Sequence, residues 1–133
     1  MSRDHEGYTP LMLAARSGDA NVVRVLLEDP NVPDPSVAIN LSDDKGDTAL
    51  VHAAKQGHRS VVERLLRHPK IDTSGALAGA AGQNRKDIVH LLLDRKIVTS
   101  KLEVERALDA AKKNMERDMH AFLMPYLHIM PEN

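Results

Sequence analysis

The sequence predicts an all-α fold, a solenoid of stacked helix–turn–helix units, on the evidence of an internal repeat and an unusual composition. The segment TPLMLAARSG (residues 9–18) matches TALVHAAKQG (residues 48–57) in Thr, Leu, Ala-Ala and Gly at an offset of 39 residues, and such self-similarity is typical of repeat proteins. The 133 residues include two Tyr, one Phe and no Trp. That composition favours close packing of small and aliphatic side chains over the core of a sandwich or barrel.

The same register continues through the chain and defines four units, of which the third and fourth match less closely. Further shifts of 27 and 30 residues place Ala53-Ala54 on Ala80-Ala81 and then on Ala110-Ala111. The apolar pair near the end of each unit is, in chain order, Leu26-Leu27, Leu65-Leu66, Leu92-Leu93 and Phe122-Leu123. We expect the units at about residues 4–42, 43–72, 73–99 and 100–128, within a single domain that spans residues 1–133.

Each unit reads as two short antiparallel helices separated by a left-handed residue. Thr9 followed by Pro10 is typical of a helix N-cap with proline at the first helical position, where its missing N–H costs nothing. Glycine ends a helix well because it adopts positive φ without a Cβ clash, and asparagine is the next most tolerant residue. The residues predicted at this position are Gly18, Gly57, Asn84 and Asn114.

The second helix of each unit carries paired apolar residues that predict an inward stripe. In the first unit these are Val22, Val23, Leu26 and Leu27, which recur at the spacing of one helix face. We therefore expect Leu27, Leu66 and Leu92 to be structural, with truncation to alanine costing about 2–5 kcal/mol.

These motifs resemble the ankyrin repeat family. The resemblance is carried by DHEGYTPLMLAA (residues 4–15) and DKGDTAL (residues 44–50), together with the Val-Val and Leu-Leu pairs that follow, and it extends over roughly residues 4–127. It implies an ankyrin-type helical repeat solenoid that binds another protein and carries no catalytic or cofactor site.

The sequence departs from the family pattern at two places. The usual histidine after Thr-Pro-Leu is Met12 in the first unit and Val51 in the second, while His52 lies one position late. The hydrogen-bonding network of that histidine is therefore missing or rebuilt. The connectors also differ in length, which predicts β-hairpin fingers that are short or missing. The long one is stiffened by Pro30, Pro33 and Pro35, and the short one ends at an expected cap, Ser74.

The third and fourth units carry their own helix signals. Ser100 begins a capping box for the fourth unit, Ser-Lys-Leu-Glu, in which side chains and backbone N–H groups pair reciprocally. The third unit has the glycine-rich segment 75–82, in which Gly79 and Gly82 each cost about 1 kcal/mol relative to alanine in a helix. We expect its first helix to be the weakest of the four.

Composition and motif spacing argue against most chemistries. There is no cysteine, so disulfides and thiolate sites are excluded. The seven histidines show no metal-ligand spacing, the acidic segment 43–47 lacks the distal glutamate of a calcium loop, and segment 75–82 lacks the Gly-Lys-Ser/Thr of a phosphate loop. We therefore predict no enzyme activity, no cofactor and no metal.

Charge and hydropathy favour an intracellular protein with a protein partner. The net charge of −1 gives no field that would attract nucleic acid or a membrane surface. No apolar run is long enough to span a bilayer, and the N-terminus does not read as a signal peptide. We expect a cytoplasmic monomer, with the nucleus left open as a location.

The resemblance also implies where the partner binds, since family members usually use the turns and the exposed side of the first helices, which form a concave face. Tyr8 is the best single anchor, because an exposed tyrosine offers apolar area and a hydroxyl, although it could equally be packed within the turn. An alternative function is a substrate-recognition or regulatory repeat segment of a larger enzyme or effector. The predicted partner-binding residues are His5, Glu6, Tyr8, Arg16, Ser17, Asp44, Lys45, Asp47, Lys55, Gln56, Gln83, Lys112 and Lys113, together with Gly82.

Overall fold

The computed structural model describes residues 7–30, 35–94, 101–113 and 117–129, and in these ranges the fold is α-helical. The strand-like feature that it contains there is an isolated antiparallel bridge between Ser42 and Thr48, so the predicted all-α class is confirmed. None of the described helices is long and apolar enough to cross a membrane. The helices are α1 (Pro10–Ser17), α2 (Ala20–Glu28), α3 (Pro35–Asn40), α4 (Ala49–Gln56), α5 (Arg59–Leu66), α6 (Ala76–Gly82), α7 (Lys86–Asp94), α8 (Lys101–Lys113) and α9 (Arg117–Ile129).

Contacts between residues divide the chain into two compact units. The first comprises Met1–Ala53 with His58–Asp72. In it α2 packs against α1, α3 and α5. The core of this unit is made by side chains with no exposed surface, among them Leu11, Val23, Ile39, Leu50 and Leu65.

The second compact unit comprises Ala54–Gly57 with Thr73–Asn133. Here α6 packs against α7 and most extensively against α8, and α8 packs against α9. Its core contains the fully buried side chains of Leu77, Ile88, Leu92, Met119 and Leu123. Each unit thus has its own apolar core of aliphatic side chains and methionine.

The helix start predicted at Thr9 and the helix ends predicted at Gly18, Gly57 and Asn84 are confirmed. Thr9 Oγ1 accepts a hydrogen bond from the Met12 N–H at 3.2 Å, with Pro10 in the first turn. Gly18 and Gly57 have φ of 83° and 77°, and Asn84 has φ of 60°. Asn84 is therefore left-handed at the position where the first two units use glycine. Asn114 and the Ser100 capping box lie outside the described residues.

The long first connector contains a helix that the sequence analysis did not predict. Residues 35–40 of this connector form α3. Ala38 and Ile39 of this helix are buried. Asn40 fixes the end of α3, because its Nδ2 donates to the Lys70 carbonyl and its Oδ1 accepts from the Asp72 N–H, both at 2.8 Å. Proline is compatible with a helix N-terminus, so Pro35 can begin this helix although it stiffens the segment before it.

The cap predicted at Ser74 was wrong by one residue. The N-cap of α6 is Gly75, which has φ of 82° and makes no side-chain capping bond. A glycine adopts this left-handed conformation at little cost, whereas serine does not. In the second repeat, an isolated antiparallel bridge between Ser42 and Thr48 closes a finger turn.

The predicted inward stripe of the second helices was wrong for Leu27 and Leu66. Both are half-buried and Val22 is 42 % exposed, whereas Val23, Val62 and Leu65 are fully buried. Leu92 is fully buried, as predicted. Adjacent residues in a helix point about 100° apart, so both members of a Leu-Leu pair seldom face the same neighbour. On α5 it is Leu65 that faces the core.

Candidate functional site

The turn of the second repeat is organised by the Asp43 carboxylate. Asp43 Oδ1 accepts hydrogen bonds from the backbone N–H of Lys45 at 2.9 Å and of Asp47 at 3.0 Å. The backbone closes the same turn, since the Gly46 N–H donates to the Asp43 carbonyl and the Asp43 N–H to the Asp47 carbonyl. Residues 43–47 therefore form a turn, and a single buried side chain fixes it.

His52 joins this turn to helix α4. Its Nε2 lies 2.8 Å from Asp43 Oδ2, and the side chains of both residues are buried. Burial raises the pKa of Asp43, but hydrogen bonds from the Asp47 backbone, His52 and the Lys45 backbone, with the charge of His52, lower it by more. The net effect is a pKa below its usual value, so the carboxylate is charged at neutral pH.

Tyr8 and Arg16 extend the arrangement to the surface of the first repeat. The Tyr8 ring meets the His52 ring edge-on, with centroids 5.4 Å apart and planes at 75°. The Arg16 guanidinium lies 5.5 Å from the centre of the Tyr8 ring, within the range of a cation–π contact. These four residues, Arg16, Tyr8, His52 and Asp43, are called the Tyr8 cluster below. The histidine network of the second unit is rebuilt around His52.

A second contact recurs directly after the left-handed residues Gly57 and Asn84. His58 Nε2 lies 2.9 Å from the Arg16 carbonyl at the end of α1, and Arg85 Nε donates to the Lys55 carbonyl at 3.0 Å near the end of α4. His58 and Arg85 are equivalent in the register, as are Arg16 and Lys55. Such donors satisfy carbonyl groups that a helix end leaves unpaired.

The bonding roles of Asp43, His52 and Arg85 were not predicted from the sequence. The repeat register aligns His58 with Arg85, and this alignment could have predicted that both residues make the same contact. A charge-bearing residue directly after the left-handed position recurs in both units. No comparable pattern in the sequence pairs Asp43 with His52, because their contact depends on the conformation of the turn.

The predicted partner-binding residues differ in exposure. Gly82 is buried and cannot form part of a surface, because glycine at the end of α6 packs inside the second compact unit. Tyr8, Asp47 and Lys55 are half-buried, and His5 and Glu6 lie outside the described residues. The remaining predicted residues are exposed, namely Arg16, Ser17, Asp44 and Lys45 in the first compact unit, and Gln56, Gln83, Lys112 and Lys113 in the second.

The structure brings Tyr8 and Arg16 into direct contact and holds Asp44, Lys45 and Asp47 on the single turn that Asp43 organises. These five residues belong to the first compact unit, so the structure defines their arrangement relative to one another. Lys55 and Gln56 belong to the other unit. The predicted continuity between the two sets stays a prediction.

Among the described residues, Asp43, Asp47 and His52 are the three whose potential ligand atoms come close enough to hold a metal ion, within 4.8 Å of one another. Both Asp43 oxygens already accept hydrogen bonds from protein groups. These hydrogen bonds explain why the three residues lie close together. The arrangement is a hydrogen-bonded turn and does not resemble the set of exposed oxygen ligands in a calcium loop.

The paired short helices, left-handed turns and closed finger define a protein of the helical repeat class. The family model described as ankyrin repeats in three copies matches residues 33–106, more than half of the chain, and the single ankyrin repeat model matches residues 6–35. The chain belongs to the ankyrin repeat family, and the predicted four units are roughly consistent with these matches. No curated protein is significantly similar to it.

Proposed function

We propose that this chain is a non-catalytic binding module, a single ankyrin repeat domain of four units, and that its partner is another protein. Ankyrin repeats are in general protein–protein interaction modules, and the family match supports that general role here. The finer proposal is that the partner meets the first helices and finger turns, on the concave face expected of the family.

The Tyr8 cluster is the observation that carries this proposal. It combines an aromatic ring, a guanidinium group and a rigid turn at one place on the first compact unit. Tyrosine and arginine are the residue types enriched among binding hot spots. Because His52 and Arg16 already hold the ring of Tyr8, less conformational entropy is lost when a partner contacts it.

The charges around the Tyr8 cluster favour a protein over nucleic acid or a membrane surface. Lys45 is exposed on the same turn as the acidic residues Asp44 and Asp47, and Arg16 is exposed on α1. A surface of mixed sign complements a protein surface, whereas phosphate-tracking surfaces are uniformly basic. We propose a monomer that works in the cytoplasm, and the second compact unit contributes the exposed residues Gln56, Gln83, Lys112 and Lys113.

Affinity capture followed by quantitative mass spectrometry tests this proposal. The wild-type chain is compared with a Tyr8→Ala, Arg16→Glu, Lys45→Glu variant, and circular dichroism confirms that the variant folds. The matched control is Arg106→Glu with Arg117→Glu, which changes exposed basic residues of α8 and α9.

The expected result is a protein that binds the wild type and the control and is lost from the Tyr8 variant. A direct titration of the purified partner should then show an affinity loss of about tenfold or more, which corresponds to about 1.4 kcal/mol. A partner that binds the folded Tyr8 variant with unchanged affinity would place the binding face elsewhere.

A further inference from the structure

A second surface lies in the first compact unit, between the C-terminal ends of helices α2 and α5. It is a pocket of about 230 Å³, open to solvent. It is lined by the second helices of the first two repeats, whereas the Tyr8 cluster is built on first helices and a finger turn. Its main lining residues are Arg24, Leu27, Arg64, Arg67, His68 and Pro69.

The pocket is lined by three guanidinium groups and a single carboxylate. The carboxylate, Glu28, is engaged by Arg24 at 3.3 Å. Arg64 is half-buried and Arg67 is exposed, and within the described part of the chain neither side chain makes a hydrogen bond or ion pair. Two arginine residues whose side chains have no bonding partner among the described residues therefore line one depression. The guanidinium group pairs best with planar oxyanions such as carboxylates.

His68 adds a hydrogen-bond donor to the residues that line the pocket. Its Nδ1 accepts a hydrogen bond from the Lys70 N–H at 3.2 Å. The ring proton must then be on Nε2, because an accepting ring nitrogen carries none. Nε2–H is therefore the donor that His68 can offer.

The rest of the lining is apolar. Leu27 is half-buried and Pro69 is exposed, so part of the pocket offers hydrocarbon surface rather than donors. We propose that this pocket is a docking site for an acidic peptide segment, in which carboxylates meet Arg64 and Arg67 and a neighbouring apolar side chain covers Leu27. Arginine clusters are a recurring means of recognising acidic motifs.

The mixed lining favours a peptide over a phosphate polymer as occupant. A polyphosphate or nucleic acid would satisfy the arginines but would leave its charged backbone against Leu27 and Pro69. Polyanion binding also draws on basic residues beyond the pocket, whereas the chain as a whole has a net charge of −1. In an acidic peptide with leucine beside its glutamates, the carboxylates can pair with the arginines and the leucine can cover the apolar lining residues.

Fluorescence anisotropy tests this proposal with three probes. The first is a fluorescein-labelled peptide in which glutamates flank leucines. The second replaces the leucines by serines, and the third is a labelled oligophosphate of equal charge. The proteins are the full chain, the Arg64→Glu, Arg67→Glu variant, a Leu27→Ser variant and the control Arg106→Glu, which is exposed on α8 and does not line the pocket. Circular dichroism establishes that each variant folds.

The wild type should bind the glutamate–leucine peptide most tightly of the three probes. The double arginine variant should lose about tenfold or more in affinity, the loss of two charge-assisted contacts, while Arg106→Glu leaves affinity unchanged. Leu27→Ser should remove the preference for the leucine peptide over the serine peptide. Arg16→Glu should leave peptide binding unchanged, which separates this site from the Tyr8 cluster.

Three results would overturn the docking site. These are no measurable binding of the glutamate–leucine peptide by the wild type, equally tight binding of the oligophosphate, and an equal loss of affinity in the Arg106→Glu control. The second result would identify a general anion site, and the third would show binding driven by overall charge. Failure of Leu27→Ser to alter the peptide preference would contradict the apolar half of the proposal.

Discussion

Asp43 and Gly18 show how single residues define the first compact unit. Asp43 accepts two backbone hydrogen bonds and one from His52, so one carboxylate holds both the finger turn and helix α4. Gly18 combines positive φ with the close approach of another side chain. The Asp43 carboxylate binds backbone and side-chain donors together. Gly18, without a Cβ, both adopts a positive φ and leaves room for His58.

Asp43 makes the stability of the chain depend on pH in the acidic range. The pKa of Asp43 in the fold is lowered below its usual value, so the unfolded chain binds a proton more readily. The resulting stabilisation is present above about pH 4 and is lost as pH falls through the lowered value. Denaturant titrations from neutral pH down through this range should show a loss that is smaller in Asp43→Asn.

The control for this titration is Asp109→Asn, an exposed aspartate of α8. It should follow the wild-type pH profile, because Asp109 takes no part in the turn that Asp43 organises. Identical pH profiles for the wild type and Asp43→Asn would contradict the structural role assigned to the Asp43 carboxylate.

Gly18 should be less tolerant of substitution than Gly46. Both have positive φ, of 83° and 86°, but a Cβ on Gly18 would lie 2.6 Å from His58 Nδ1, whereas a Cβ on Gly46 would meet nothing within 4 Å. Alanine at either position costs about 1–2 kcal/mol for its left-handed backbone. Gly18→Ala should cost about 1–3 kcal/mol more, because His58 must move.

Chemical denaturation of the two alanine variants measures this difference, and a double-mutant cycle with His58→Ala isolates its cause. In the His58→Ala background the extra cost of Gly18→Ala should shrink. Both proteins compared in that background lack the hydrogen bond from His58 to the Arg16 carbonyl, so its loss cancels in the difference. Equal costs for Gly18→Ala and Gly46→Ala would show that His58 moves aside freely.

At the scale of the helices, burial depends on which neighbour each face meets. The apolar pair of α5 divides into the fully buried Leu65 and the half-buried Leu66. On α2, Val22 is exposed although its equivalent on α5, Val61, is fully buried. The same sequence position can therefore be core in one repeat and surface in another.

Truncation of the Leu pair on α5 should separate the two positions. Leu65→Ala should lower the free energy of unfolding by about 2–5 kcal/mol through lost transfer energy and a cavity. Leu66→Ala should cost less than about 2 kcal/mol, since its side chain is already partly in water. Urea titrations of both variants measure the difference, and a larger loss for Leu66→Ala would reverse the assignment of the core face.

Helix α6 combines poor intrinsic helix formation with extensive packing. Gly79 and Gly82 are both buried within it, and each lowers helix stability by about 1 kcal/mol relative to alanine. Hydrogen exchange should therefore show faster opening at residues 75–83 than at residues 50–55. Equal or greater protection of α6 would mean that its packing against α8 more than offsets the glycines.

At the scale of the whole molecule, net charge decides how partner binding responds to salt. The chain carries 18 Lys and Arg against 19 Asp and Glu, so no long-range field dominates its association. We expect the affinity for the protein partner to fall by less than about tenfold between 50 and 200 mM salt, whereas binding through many phosphates loses about 10³–10⁵. Titration of the purified partner at several salt concentrations measures this slope, and a steep slope would indicate a nucleic acid ligand.

Much of the fold could be predicted because the relevant signals are local. Thr9 with Pro10 set a helix start, and Gly18, Gly57 and Asn84 set helix ends, through backbone preferences that depend on one or two residues. The candidate site was harder to predict. The sequence left open whether Tyr8 is an exposed anchor or is packed within the turn, and its side chain lies half-buried against His52, a contact between residues far apart in sequence.

The sequence by itself determined the family, the start of α1 at Thr9 and the left-handed residues Gly18, Gly57 and Asn84, since backbone preference and repeat register depend on neighbouring residues. Tertiary structure alone decided that α3 forms in the connector, that Leu65 rather than Leu66 is buried, and that Asp43 bonds His52. It also brought Arg24, Arg64 and Arg67 to one pocket. These outcomes depend on which surfaces meet, and burial and hydrogen bonding are properties of that contact rather than of any single segment.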